Sequence, residues 1–236
     1  MNVLSVEYPG YGVYDQAPNA KTILEDAEIV FDFLNCEMKI DSQKIYLLGR
    51  SIGSGPATYL AAHRNPGMLL LLSSYTSVKG IAKSRFGLLA QLLVCDRFRN
   101  IDEIQKVSCP CFFIHGEKDT LIPSSHTIEL FSKCKAISGM SLRKHMTHNE
   151  FDMKKDILKP IKNFFAQVGH SYQSSNINFP SYATSAIQIQ IDRQSMIEMP
   201  IIEEKCLNLR PTFGGKLYSF SFAGDYNSPR LPKTVR

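Results

Sequence analysis

LLGRSIGSGPATYLAA, residues 47–62, is the stretch on which the reading of this chain turns. An apolar run ends in Gly49-Arg50-Ser51-Ile52-Gly53, and an alanine-rich helical pattern follows at once. Gly-x-Ser-x-Gly between a strand and a helix marks a nucleophile elbow, a sharp turn that lifts a serine hydroxyl above the carboxyl end of a sheet. A side chain at position 49 or 53 is expected to crowd that turn. The helix opening behind it leaves the Ile52 amide free to face an oxyanion forming beside Ser51. About one chain in ten of this length carries the bare pattern by composition alone. The alternative is a Gly/Ser-rich loop, and the strand on one side with a small-residue helix on the other argues against it.

Outward from the elbow, strand and helix alternate. Val3–Val6 reads as a strand stopped by Pro9-Gly10, and residues 19–37 as a helix with Asn19 as N-cap and apolar Ile23, Ala27, Val30, Phe31 and Leu34. Residues 44–48 read as a short buried strand and 52–63 as a helix. Met68–Leu72 is apolar without alternation, as suits a strand covered on both faces. A helix is expected over 78–95, with a stripe of Leu88, Leu89, Leu92 and Leu93 used for core packing or to line an acyl groove. A strand over 111–115, a helix after Pro123, a strand near 141–145 and a helix over 150–168 complete the order. In that last helix Phe151, Ile157, Leu158, Ile161, Phe164 and Phe165 form the core face, and Pro160 is a candidate kink. This alternation predicts a parallel α/β sheet. After Gly169 the periodicity fails, and residues 169–236 read as a low-order tail. Within it Ile187–Ile191 alternates like an edge strand, with a plain linker as the competing reading.

A serine nucleophile needs a base, and the base an orienting acid. In an elbow-bearing sheet the order along the chain is serine, acid, histidine. Asp119 follows the strand CFFIHG by a few residues, which puts a carboxylate above the same sheet edge as Ser51; Glu117 is the weaker candidate and a surface turn the plain alternative. Of six histidines, His63 ends a helix, His126 begins one, His115 packs at a strand end and His170 follows the last helix. His148 falls in the loop before the last helix and is preferred as base over His145, which reads as strand.

The four motifs VEYPGYGVY, GRSIGSGPATYLAA, HGEKDTLIP and THNEFD, in that order, resemble the α/β-hydrolase fold over residues 2–168, and within it the intracellular acyl-protein thioesterase branch. The resemblance implies a Ser51-Asp119-His148 triad, acyl transfer from an ester or thioester to water, an oxyanion held by the Ile52 amide, and no metal or organic cofactor. Thr147 stands where that family commonly has glycine. The family also carries three further strands ahead of VEYPGYG, one of which supplies a second oxyanion amide. The expectation is therefore an N-terminally truncated α/β-hydrolase core over 1–168. Two alternatives are a non-catalytic binding protein with an incomplete oxyanion hole and a peptidase-like member of the fold.

Composition narrows the setting. Hydrophobic residues make up 44% of the chain and charged residues 21%, with a net charge of +5, too little to argue for a nucleic-acid partner. No Cys-x-x-Cys pair occurs among the six cysteines, which suits neither a zinc site nor a secreted disulfide framework. A reducing, cytoplasmic setting is expected. No stretch of about 18 apolar residues suggests a transmembrane span. Lys79, Lys83, Arg85, Arg97 and Arg99 surround the leucine stripe, either as a solvated basic face or as a peripheral contact with a membrane. The expected partner is an acyl ester or an acylated protein.

Overall fold

The computed structural model describes residues 2–11, 14, 17–170 and the strand residues 212–213, 216–217 and 220–222. These fall into two compact units, one formed by residues 1–17 with 172–236 and the other by residues 18–171.

In the first unit, β1 (Leu4–Val6) pairs antiparallel with β8 (Phe220–Phe222), and β6 (Thr212–Phe213) pairs with β7 (Lys216–Leu217). This corrects the place expected for the first strand: its backbone groups are satisfied by a segment from the far end of the chain, not by the parallel sheet. The rest of the expected tail, including Ile187–Ile191, lies outside the described residues.

The second unit is an α/β fold. Its four parallel strands run β2 (Tyr46–Arg50), β3 (Met68–Leu72), β4 (Cys111–Gly116) and β5 (Ser138–Arg143), in that spatial order. The helices are α1 (Ala20–Asp32), α2 (Ser54–Arg64), α3 (Val78–Phe86), α4 (Ala90–Leu93), α5 (Asn100–Glu103), α6 (Ser125–Lys133) and α7 (Lys159–Gln167). Asn19 caps α1, its side chain accepting from the Lys21 amide at 2.8 Å. All five residues of β3 are buried, because both faces of the sheet are covered. Leu69 and Leu71 point into a core with Ala57, Ala61 and Phe113. Met68, Leu70 and Leu72 point the other way, against Ile157, Phe164 and Phe165.

Five local readings are corrected. The helix expected over 78–95 is two helices broken at Gly87, whose φ of +84° no L side chain adopts readily; the leucine stripe that follows is exposed and packs into no core. The strand expected near 141–145 begins earlier, at Ser138, because Gly139 pairs with Phe112 and lets the Phe164 ring lie against the backbone. The strand ends at Arg143, so His145 lies outside it. In the last helical segment a wide π-type turn over Met153–Leu158 shifts the phase, so Leu158 faces outward, while Pro160 sits in the first turn of α7 and forces no kink.

Candidate active site

Every side chain of the site comes from the carboxyl end of a strand. Ser51 follows β2 directly, at the start of a single 3-10 turn (Ser51–Gly53) that runs into α2. Its φ of +51° is the left-handed conformation, which costs a non-glycine residue about 1–2 kcal/mol. The surroundings hold it there. The Ser54 hydroxyl donates to the Ser51 carbonyl at 2.7 Å and itself accepts from Asn100 Nδ2 at 3.2 Å. Asn100, buried, also donates to the Tyr75 carbonyl at 2.9 Å, and the Tyr75 hydroxyl donates to the Ile52 carbonyl at 3.3 Å.

Gly49 is required by space. A Cβ there would lie 2.6 Å from the Gly53 carbonyl oxygen and 2.7 Å from the Ala57 Cβ. Gly53 is different: its φ and ψ of −65° and −14° are ordinary helical values, so its own conformation does not call for glycine. The Ile52 amide lies in the first turn of the helix, where N–H groups have no intrahelical acceptor.

Asp119 follows β4 and is buried. Its Oδ1 accepts from the amides of Leu121 at 2.9 Å and Ile122 at 2.8 Å. Its Oδ2 faces His148 Nδ1 at 2.7 Å. On the far side of the same imidazole, His148 Nε2 lies 3.1 Å from Ser51 Oγ. The structure thus brings Ser51, His148 and Asp119 into one hydrogen-bonded line. With Asp119 accepting at Nδ1–H, Nε2 is the free lone pair directed at the serine hydroxyl. Glu117 is exposed and outside this line. His145 is held elsewhere, its Nε2 3.1 Å from Asp156 Oδ2.

Three residues support this line without having been singled out from the sequence. The Arg50 guanidinium donates to the His148 carbonyl at 2.6 Å and to Asn149 Oδ1 at 2.8 Å, tying the elbow strand to the histidine loop. Both partners belong to motifs visible in the sequence, but nothing there says that they touch. Tyr75 and Asn100 gave no sequence signal. His115, expected to pack at a strand end, is fully buried. Its Nε2 donates to the Ile122 carbonyl at 2.8 Å and lies 3.4 Å from Asp119 Oδ2. Its Nδ1 lies 2.6 Å from the Thr127 hydroxyl, which also reaches the Ser74 carbonyl at 3.2 Å. Burial pushes the His115 pKa below its ordinary value, against the opposing pull of the Ile122 carbonyl and Asp119.

No protein-family model matches the chain. It is 30% identical over 166 residues to human Alpha/beta hydrolase domain-containing protein 17B, covering 70% of this chain and 57% of that protein. It is 29% identical over 163 residues to Alpha/beta hydrolase domain-containing protein aho-3 of Caenorhabditis elegans, covering 69% and 48%. The chain has the α/β-hydrolase fold. The chain spans about half the length of the curated relatives it matches. Among solved structures it is similar to Alpha/beta hydrolase domain-containing protein 10 from mouse, with a TM-score of 0.49, 17% identity, and coverage of 69% of this chain and 76% of that one.

Proposed function

We propose that this chain is a serine hydrolase of carboxylic esters or thioesters. The observation that carries the reading is the unbroken line from Ser51 Oγ through His148 to Asp119, with separations of 3.1 and 2.7 Å. His148 Nε2 takes the proton of Ser51 as Oγ bonds to the acyl carbon. The carbonyl oxygen becomes an oxyanion facing the Ile52 amide. Asp119 holds the Nδ1–H tautomer and balances the imidazolium charge. The tetrahedral adduct collapses by expelling the alcohol or thiol, which takes the proton from Nε2. Water then adds by the same route, releases the carboxylic acid and restores Ser51.

Within that class, a fatty-acyl thioester on a protein cysteine, or a lysolipid ester, is the substrate we favour. Its support is the likeness of GRSIGSGPATYLAA, HGEKDTLIP and THNEFD to acyl-protein thioesterases. The cysteines described are all free thiols, which supports a reducing, cytoplasmic setting.

A fluorophosphonate probe tests the chemistry. Wild-type protein is expected to be labelled, Ser51→Ala not at all, and His148→Ala at least about 10³-fold more slowly. Folded wild-type protein that resists the probe would refute the reading. Turnover of acyl thioesters of two and sixteen carbons tests the substrate class, with the long chain expected to be preferred.

A further inference from the structure

Residues 86–93 expose an unusual amount of apolar side chain. Phe86, Leu88, Leu89, Leu92 and Leu93 are each between 67% and 89% exposed. Single exposed leucines are ordinary, but five large apolar side chains within eight residues are not. The break at Gly87 produces the display: it ends α3, and the single turn of α4 then carries Leu92 and Leu93 outward.

The charge around this crest has one sign. Residues 78–99 hold Lys79, Lys83, Arg85, Arg97 and Arg99 against a single acid, Asp96. Asp96 is already paired with Arg99, whose guanidinium also meets Asp102. Among the described residues no ion pair involves Lys83, Arg85 or Arg97, and all three are exposed. An apolar crest ringed by uncompensated cations matches the interface of a bilayer carrying anionic headgroups, where the hydrocarbon takes the leucines and the headgroups take the charges.

The crest also belongs to the side of the sheet that bears the site. The α3 helix is reached from the carboxyl end of β3, the Arg85 guanidinium donates to the Thr120 carbonyl beside Asp119, and the Ser84 hydroxyl meets His126 Nε2 at 3.0 Å. We propose that residues 86–93 insert into the interface of an anionic lipid bilayer, with Lys83, Arg85 and Arg97 on the headgroups. The contact does not require Ser51 to be a nucleophile. If Ser51 is one, the contact places the triad at the membrane surface.

The chain contains no tryptophan, so Leu93→Trp introduces a single reporter at a position already exposed. Its emission is expected to shift to the blue with vesicles of phosphatidylcholine and about 30% phosphatidylserine, and to be quenched when the acyl chains are brominated. In flotation with the same vesicles, the Leu89→Ser/Leu92→Ser/Leu93→Ser variant is expected to bind at least about tenfold more weakly than wild type. Lys83→Glu/Arg97→Glu should lose the preference for phosphatidylserine. These changes touch no buried side chain, and circular dichroism checks that each variant is folded. An unchanged emission, a triple variant that floats like wild type, or no flotation of wild type would each overturn the proposal. So would sedimentation velocity showing a wild-type dimer that the triple substitution dissolves without vesicles, since a second copy would then be what covers the crest.

Discussion

Arg50 is the residue whose role is clearest from contact and least apparent from pattern. Its guanidinium spans the gap between the strand that ends in Ser51 and the loop that holds His148, and it lies over the Phe151 ring with its carbon 5.8 Å from the centroid. Losing it frees the backbone of the proposed base without touching the base itself. Arg50→Ala is expected to lower kcat for a soluble ester by about 10–100-fold with little change in KM, and Arg50→Lys to recover only part, because a shorter side chain with an ammonium head lacks the planar guanidinium that lies over Phe151 and holds the donor in place. Steady-state kinetics of the two variants check this. Gly49 is a steric case. Any Cβ there meets backbone that cannot yield, so Gly49→Ala is expected to cost about 1–3 kcal/mol in urea melts and to abolish probe labelling. Gly49, Ser51, Asp119 and His148 were legible because each stands in a local motif at a strand end. Arg50, Tyr75 and Asn100 act through partners far along the chain, and no local pattern carries that information.

At the scale of elements, legibility followed local periodicity. Met68–Leu72 could be read as a strand because five successive apolar residues need cover on both faces. The 78–95 segment misled because leucines at helical spacing look alike whether a core or nothing covers them, and one glycine decided the matter. The start of β5 was hidden because Ser138-Gly139 carries little strand propensity; the backbone bonds to β4 and the close Phe164 ring override it. The loop after β5 is fastened by Asp156, which is fully buried and accepts from Arg143 at 2.9 Å, His145 at 3.1 Å and the Asp152 amide at 2.9 Å. Burial alone would raise its pKa; the Asp152 amide, Arg143 and His145 together outweigh that and hold it below the ordinary carboxylate range. Removing the guanidinium leaves a buried carboxylate short of a partner. Arg143→Met is therefore expected to cost about 3 kcal/mol at neutral pH, read from urea midpoints. Because the native carboxyl has the lower pKa, this contribution is present above about pH 4 and fades as pH falls through the native value.

For the molecule as a whole, strand-helix alternation announced the parallel sheet, whereas the pairing of β1 with β8 joins the two ends of the chain and leaves no trace in either segment. The buried histidines set a property of the entire folded state. His115 is enclosed on both ring nitrogens: Nε2–H goes to the Ile122 carbonyl, and Nδ1 lies 2.6 Å from the Thr127 hydroxyl. His126 is bound alike. Its Nδ1 lies 2.9 Å from the Thr76 hydroxyl and 3.5 Å from the Thr76 amide, and its Nε2–H is directed at the Ser84 hydroxyl. Burial pushes both pKa values below the ordinary histidine value. The unfolded chain then binds protons at these sites before the native one does, so stability is full above about pH 6.5 and falls as pH drops toward the native values. Each suppressed histidine contributes a slope of up to about 1.4 kcal/mol per pH unit in that window. Urea melts are expected to show stability declining from pH 6.5 to 5, before carboxylates titrate. His126→Gln keeps a hydrogen-bonding side chain but cannot take a proton, and should flatten the decline by up to that slope; an unchanged slope would mean that folding leaves the pKa of this ring at its unfolded value.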